Sequence, residues 1–433
     1  NAEWKTRNRK SFIAYMSVPR SVIDTAIVVC PLPDFPEARL LGVRVAGVPL
    51  LTRALLTAQR AGIERFTVVA SAPQQAALRG QVDGEARLRG RVRWIEPTED
   101  PGAQSASSLV LPVSVVLEAG ALRGWLTRVV DSGSVTVPDA AGTAPLAVPA
   151  ALLTECIRAA LRGQPGLAQF LEKLQGDRRL VTVPWEGIRQ QPVRSAAEVP
   201  AVERAMLAAL RSPEDGPVVD RFVNRVLSAF LTRGVIRLPV TPNQVTVASL
   251  VTGLIGAWLL GIEGVVPSLL GLALFQLSVV LDHVDGEVAR LKFQFSPLGK
   301  WLDNVSDHVV DLAVIALLTW RVAGVRTPGT FAVLGLAAAA GVTGAFVVVF
   351  WWSVSEQSRA ARTTTPAQLL APVLAFLANR DGFSLALWVA VLLGHPTWFL
   401  WALALGANAY WVTWLLIYGL PTRAHPVVER PAG

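Results

Sequence analysis

Two pairs of aspartates, Asp282 with Asp285 and Asp303 with Asp307, lie in the stretch 282–307, DHVDGEVARLKFQFSPLGKWLDNVSD. Asp282, Asp285, Gly286 and Ala289 are spaced i, i+3, i+4 and i+7, which is one stripe of a helix. Gly299, Asp303 and Asp307 are spaced i, i+4 and i+8, one stripe of the next. A short link between them lets the two helices run antiparallel with their stripes facing. Carboxylates gathered in apolar surroundings need cations, because unpaired charge there is costly. Oxygen-only ligands favour hard ions, Mg²⁺ or Mn²⁺. Four carboxylates suit two such ions, an arrangement used for phosphoryl displacement. Gly286 and Ala289 leave room for a ligand against the helix. Acidic residues merely solvated at helix ends are the bland alternative, and the apolar flanks argue against it.

Composition says what positions this stretch. Of 433 residues, 52% are hydrophobic and 17% charged, and the apolar excess lies mainly beyond about residue 245. A soluble domain followed by an all-α membrane domain accounts for that asymmetry. Apolar spans at about 245–262, 265–283, 301–322, 331–352, 383–398 and 399–419 predict six transmembrane helices, the fifth broken by Gly394-His395-Pro396. Arg290, Lys292, Lys300, Arg359, Arg362 and Arg380 gather in two loops, 290–300 and 353–380. The positive-inside bias then places those loops, the soluble domain and both termini in the cytoplasm of an integral cell-membrane protein. The net charge of +8 fits anionic headgroups; no basic stripe with a reader motif points to nucleic acid. Cys30 and Cys156 have no pairing or metal spacing, which fits a reducing compartment.

The domain boundaries follow. Residues 1–15 are set aside as a tag or upstream segment, since Met16 can begin a chain. Residues 16–215 alternate apolar runs and helical patterns: strands at 22–30, 64–70 and 113–117, and a helix at 47–62 ending at Gly62. That order predicts an α/β domain with a largely parallel sheet. Residues 216–240 hold an amphipathic juxtamembrane helix, with Val219, Phe222, Val226 and Phe230 apolar beside Arg221, Arg225, Arg233 and Arg237. The same pattern suits a connecting helix packed on protein. Residues 241–420 form the membrane domain and 421–433 a cytoplasmic tail.

The motif Asp282-x2-Asp285-Gly286-x2-Ala289-Arg290-x8-Gly299-x3-Asp303-x3-Asp307 resembles the signature of the CDP-alcohol phosphotransferase family at every fixed position. Pro242-Asn243-Gln244-Val245-Thr246 looks like the opening of that family's first transmembrane helix. The resemblance covers about 215–420. It implies metal-dependent transfer of a phospho-alcohol from a CDP-alcohol, CDP-diacylglycerol or a CDP-polyol, to an acceptor hydroxyl, with release of CMP. Phospholipid or polyol-phosphodiester synthesis is the setting it implies. Asp282, Asp285 and Asp303 would hold the metals that grip the diphosphate. Asp307 would complete the second site and act as general base. Gly286, Ala289, Arg290 and Gly299 would accommodate the nucleotide, with Asn243 and Thr246 beside it. Lys300 and Arg380 are candidates for an acceptor phosphate, inositol phosphate or another polyol. Loop charge explains both equally, as snorkelling explains Arg290 and helix capping Thr246. Many relatives place Arg after the fourth Asp; here it is His308, for which a hydrogen-bonding role is expected. Asp311 continues the stripe without an assigned role. The resemblance also implies a homodimer in contact with membrane lipid.

Residues 42–71 resemble the start of sugar-nucleotide-type nucleotidyltransferases. Their Gly-rich loop offers bare backbone N–H groups to a triphosphate. Here Pro31, Pro33 and Pro36 follow the first strand, Val48 replaces the lysine of Gly-Lys-Pro, and Gln190–Arg194 lacks the expected carboxylate. Only Glu118 could stand in for a family aspartate. The domain is expected to be catalytically silent, and the order of domains looks like fused inositol-phosphate cytidylyltransferase and di-inositol-phosphate-phosphate synthase proteins. An active cytidylyltransferase domain and a non-enzymatic divalent-ion-binding membrane protein are the competing readings.

Overall fold

The computed structural model describes residues 23–102, 106–130, 132–139, 145–186, 191–210, 223–324, 328–354 and 380–418. The tag or upstream segment 1–15, the tail 421–433 and the loop arginines Arg359 and Arg362 lie outside these, as do Val219, Arg221 and Phe222.

The N-terminal region is built on a mixed seven-stranded sheet of order β10-β8-β9-β6-β1-β4-β5. Its centre is β1 (Thr25–Val29), parallel to β4 (Arg65–Val69) and to β6 (Ser107–Pro112). β5 (Val92–Ile95) extends one edge, parallel to β4. β9 (Leu146–Pro149) runs antiparallel to both β6 and β8 (Val135–Pro138), and β10 (Leu180–Val183) closes the other edge, parallel to β8. All five β1 residues are buried. Ala26 and Val28 face one apolar cluster, Ile27 and Val29 the other, so a continuous apolar run is a strand covered on both faces. One expected strand is corrected. The sheet strand is 107–112, and 113–117 contributes only the short β7 (Val115–Val116), paired with β11 (Gln191–Pro192).

Helix α1 (Leu50–Ala61) follows the hairpin of β2 (Arg44–Val45) and β3 (Val48–Pro49). It ends at Gly62, whose φ of 109° supplies the left-handed cap. Helices α2 (Ala72–Asp83), α3 (Ala119–Leu126), α4 (Ala150–Ala160), α5 (Gly163–Gly176) and α6 (Val199–Ala209) complete the region. The proline-rich segment after β1 leads into a 3₁₀ turn, Pro36–Gly42. There the Glu37 carboxylate crowds Gly163 and accepts from the Gln164 amide at 3.3 Å.

The C-terminal region is helical: α7 (Arg225–Val235), α8 (Pro242–Gly261), α9 (Val265–Leu291), α10 (Pro297–Ala323), α11 (Pro328–Val354), α12 (Arg380–Leu392) and α13 (Pro396–Tyr418). Five of the expected apolar spans are single helices, whereas 383–398 is the end of α12, a turn at 393–395 and the start of α13, and the count of six crossings is corrected. Among the described residues four helices, α8, α9, α11 and α13, are long and apolar enough to cross a membrane. α10 has the length, yet its first turns carry Lys300, Asp303, Asp307 and Asp311. α12 spans only 13 residues before the chain turns at Gly394. α8 and α9 touch backbone to backbone. A Cβ on Gly271 would lie 2.8 Å from the Gly256 carbonyl oxygen and 2.9 Å from the Leu260 nitrogen, the close approach that small residues permit between apolar helices.

Polar bonds fasten α7 to this bundle. Ser228 and Thr232 donate to the buried Glu287 carboxylate at 3.0 and 2.6 Å. Gln276 donates to Asn224 at 2.6 Å and accepts from Ser384 and Trp388 at 2.7 and 3.0 Å.

Candidate functional site

Two caps set the register of the site. Thr241 opens α8 with a capping box to Gln244, and Pro242 occupies the first turn, where a missing N–H is harmless. That start places Asn243 and Thr246 at one end of the bundle. Ser296 opens α10, its hydroxyl accepting from the Gly299 amide at 2.9 Å. That start places Gly299, Asp303 and Asp307 on one face, toward α9.

Three of the four aspartates on the two stripes come together. One carboxylate oxygen from each of Asp282, Asp285 and Asp303 lies within 4.8 Å of the others. Asp303 Oδ1 is buried without a hydrogen-bond partner among the described residues. Like charges this close require a compensating cation or proton. An orphaned buried carboxylate oxygen, facing two further carboxylates, fits a hard cation by its donor chemistry. Asp285 is buried, and its carboxylate accepts from the Thr246 hydroxyl. Such a bond orients a ligand in the way outer partners commonly do.

Asp307 stands apart from this trio. Arg380 donates to it, and the same guanidinium nitrogen is 3.6 Å from Asp282 Oδ1. Arg380 therefore reaches the carboxylates from α12, whereas Lys300 is exposed on the first turn of α10. Asn243 covers Gly299: a Cβ there would lie 2.9 Å from its Oδ1. The guanidinium of Arg290 lies over Gly286, 3.5 Å from the position of an added Cβ. Ala289 is buried on the same stripe. His308 stacks on Phe346 at 4.4 Å, its Nε2 3.4 Å from the Thr343 hydroxyl, so it is engaged with α11. Asp311 Oδ1 is buried one turn deeper, with no hydrogen-bond partner among the described residues.

Two participants were not read from the sequence. Glu287 lies between the site residues yet turns away to α7, which only the partners Ser228 and Thr232 reveal. Arg53 joins the N-terminal region to the end of α9, donating to the Leu291 carbonyl at 2.8 Å. Its signal was present: an arginine at i+3 from Leu50 and i−4 from Thr57, on the buried stripe of an amphipathic helix.

Residues 239–417 match the model of a family described as CDP-alcohol phosphatidyltransferase. The chain is 30% identical over 169 residues to a bifunctional IPC transferase and DIPP synthase of Thermococcus kodakarensis, covering 39% of this chain and 37% of that protein. It is 29% identical over 212 residues to a protein of the same name from Rubrobacter xylanophilus, covering 44% of each. The chain thus spans less than half the length of these curated relatives. Among solved structures, Mycobacterium tuberculosis phosphatidylinositol phosphate synthase with CDP-DAG bound aligns over 48% of this chain and 99% of that one, with 18% identity and a TM-score of 0.35. A nucleotidyl transferase from Methanothermobacter thermautotroptrophicus aligns over 42% and 95%, with 16% identity and a TM-score of 0.31.

Proposed function

We propose that this protein transfers a phospho-alcohol from a CDP-alcohol to an acceptor hydroxyl and releases CMP. The observation that carries the reading is the meeting of Asp282, Asp285 and Asp303 within 4.8 Å, inside a domain matched by the CDP-alcohol phosphatidyltransferase family. The relatives named IPC transferase and DIPP synthase support a polyol such as inositol phosphate as donor alcohol or acceptor.

Asp282, Asp285, Asp303 and Asp307 would hold two divalent ions, Mg²⁺ or Mn²⁺. Such ions, when bound, neutralise diphosphate charge and polarise a phosphoryl oxygen. Gly286, Ala289 and Gly299 would accommodate the nucleotide, with Arg290 and Asn243, which lie over the two glycines, beside it. Thr246 holds Asp285 in its orientation. Arg380 approaches the same carboxylates and would take an acceptor phosphate, with Lys300 at the rim of the site. A carboxylate oxygen of Asp307 takes the acceptor's hydroxyl proton. The acceptor oxygen then bonds to the β-phosphorus as the bond to CMP breaks. The positive charge of the loops on the site's side supports a cytoplasmic location for that side and for both termini, and the resemblance supports a homodimer.

The N-terminal region, 16–215, is in this reading catalytically silent. The turn after β1 contains three prolines and no glycine before Gly42, so it lacks the bare backbone N–H groups that cradle a triphosphate. The deciding experiment measures radiolabelled CMP release with Mg²⁺ or Mn²⁺, offering CDP-diacylglycerol and CDP-inositol against a panel of polyol acceptors. Metal-dependent release with one donor is expected; no release from either donor defeats the reading for those substrates.

A further inference from the structure

The segment 291–295 is the link between the two aspartate-bearing helices, and the soluble region holds it from several directions. Arg53 is buried in α1 at 3% exposure. Its Nη2 donates to Val45 O at 2.7 Å and to Leu291 O at 2.8 Å. Leu291 ends α9, so this guanidinium satisfies a terminal helix carbonyl and opposes the negative end of the helix dipole. Arg87 donates to the carbonyl of Phe293. Arg60 places its guanidinium 4.4 Å from the Phe293 ring centre and 4.9 Å from that of Phe295. Phe293 itself has φ 60°, a conformation that a bulky residue keeps only where its surroundings impose it.

The neighbouring chain is held as firmly. Lys292 Nζ donates to Leu238 O and Val240 O at 2.7 and 2.9 Å, tying the link to the entrance of α8. The β2–β3 turn closes over it, where a Cβ on Gly47 would lie 2.9 Å from Ile236 O. Ala46, Leu207, Ile236, Val245, Val284, Val288 and Leu291 share one apolar cluster, which joins the two regions without a gap. Asp285 lies six residues before Leu291 on the same helix, roughly 9 Å along its axis.

We infer that the soluble region is a positioning element of the membrane site: Arg53, with Arg60 and Arg87, fixes the 291–295 link and thereby the distance between the carboxylates of α9 and those of α10. The inference rests on the proposed metal site, and it gives a catalytically silent region a present task. Arg53 touches no reacting atom and acts only through the Leu291 carbonyl.

The test uses the full chain in nanodiscs, comparing the parent with Arg53→Met and with the double variant Arg60→Ala/Arg87→Ala. Hydrogen exchange at amides 292–298 should accelerate at least about tenfold in Arg53→Met, with β1 and β4 protected as in the parent. Mn²⁺ affinity, read by the signal of the free ion in electron paramagnetic resonance, should weaken at least about fivefold. Turnover should fall chiefly in kcat rather than in donor KM. Exchange and Mn²⁺ affinity within twofold of the parent in both variants would overturn the inference. If Arg53→Met loses protection at β1, the double variant decides, because its side chains lie outside the buried core. A parent that binds no Mn²⁺ through Asp303 sinks the metal reading; the exchange comparison then still decides whether the link is braced.

Discussion

Asp303 and Asp307 sit one turn apart on α10 and meet different surroundings. Asp303 faces Asp282 and Asp285 with a buried oxygen lacking a described partner, whereas Asp307 is gripped by Arg380. The proposed roles divide accordingly. Asp307→Asn should reduce CMP release by about 10²- to 10⁴-fold, the range of a lost general base, and weaken only the second Mn²⁺ site, while the site formed by Asp282, Asp285 and Asp303 keeps its first Mn²⁺. Asp303→Asn should abolish Mn²⁺ binding itself; equal effects of the two on Mn²⁺ would remove the separate role of Asp307. Elsewhere, burial pushes the thiols of Cys30 and Cys156 up to about 12, so at pH 8 both remain protonated. Maleimide should label neither in the native chain and both after denaturation. At this scale the convergence of Asp282, Asp285 and Asp303 was legible, because i+3 and i+4 spacing puts each pair on one helix stripe; the separation of Asp307 from them was not. Arg380 was legible only as a charge: its partner Asp307 is 73 positions away, and no local pattern carries that pairing.

Helices were readable as elements, yet their relation to a membrane was only partly so. Hydropathy found α8 to α13, but α10 mixes an apolar face with a carboxylate face, and composition alone does not say which solvent it meets. Strand 107–112 was missed because SSLVLP alternates poorly and its burial comes from β1 and β9 on either side. The α8–α9 crossing gives a sharp expectation. Gly271→Leu drives a side chain into the backbone of α8 and should destabilise the bundle by more than the roughly 1–3 kcal/mol typical of overpacking. A lowered unfolding midpoint in detergent would show it; an unchanged midpoint would mean that the crossing is loose. The α7 attachment is open to a milder change. Thr232→Val leaves Glu287 one donor short and should cost about 1–3 kcal/mol, read in the same melt.

For the molecule as a whole, the division into an α/β region and a helical region was plain from composition. The bond between them was not, since Arg53 and Leu291 are 238 positions apart. The proposed silence of the N-terminal region can be tested without dividing the chain. Full-length protein carrying Asp307→Asn should form no CDP-alcohol and release no diphosphate from CTP with inositol phosphate. Diphosphate release would restore a cytidylyltransferase reading. The joint between the regions has a further consequence in time. A chain is made from its N-terminus, and domains generally fold as units while synthesis proceeds. The arginines of α1 are therefore in place before the ribosome has delivered Leu291, and the nascent link between the aspartate helices meets a surface already waiting for it.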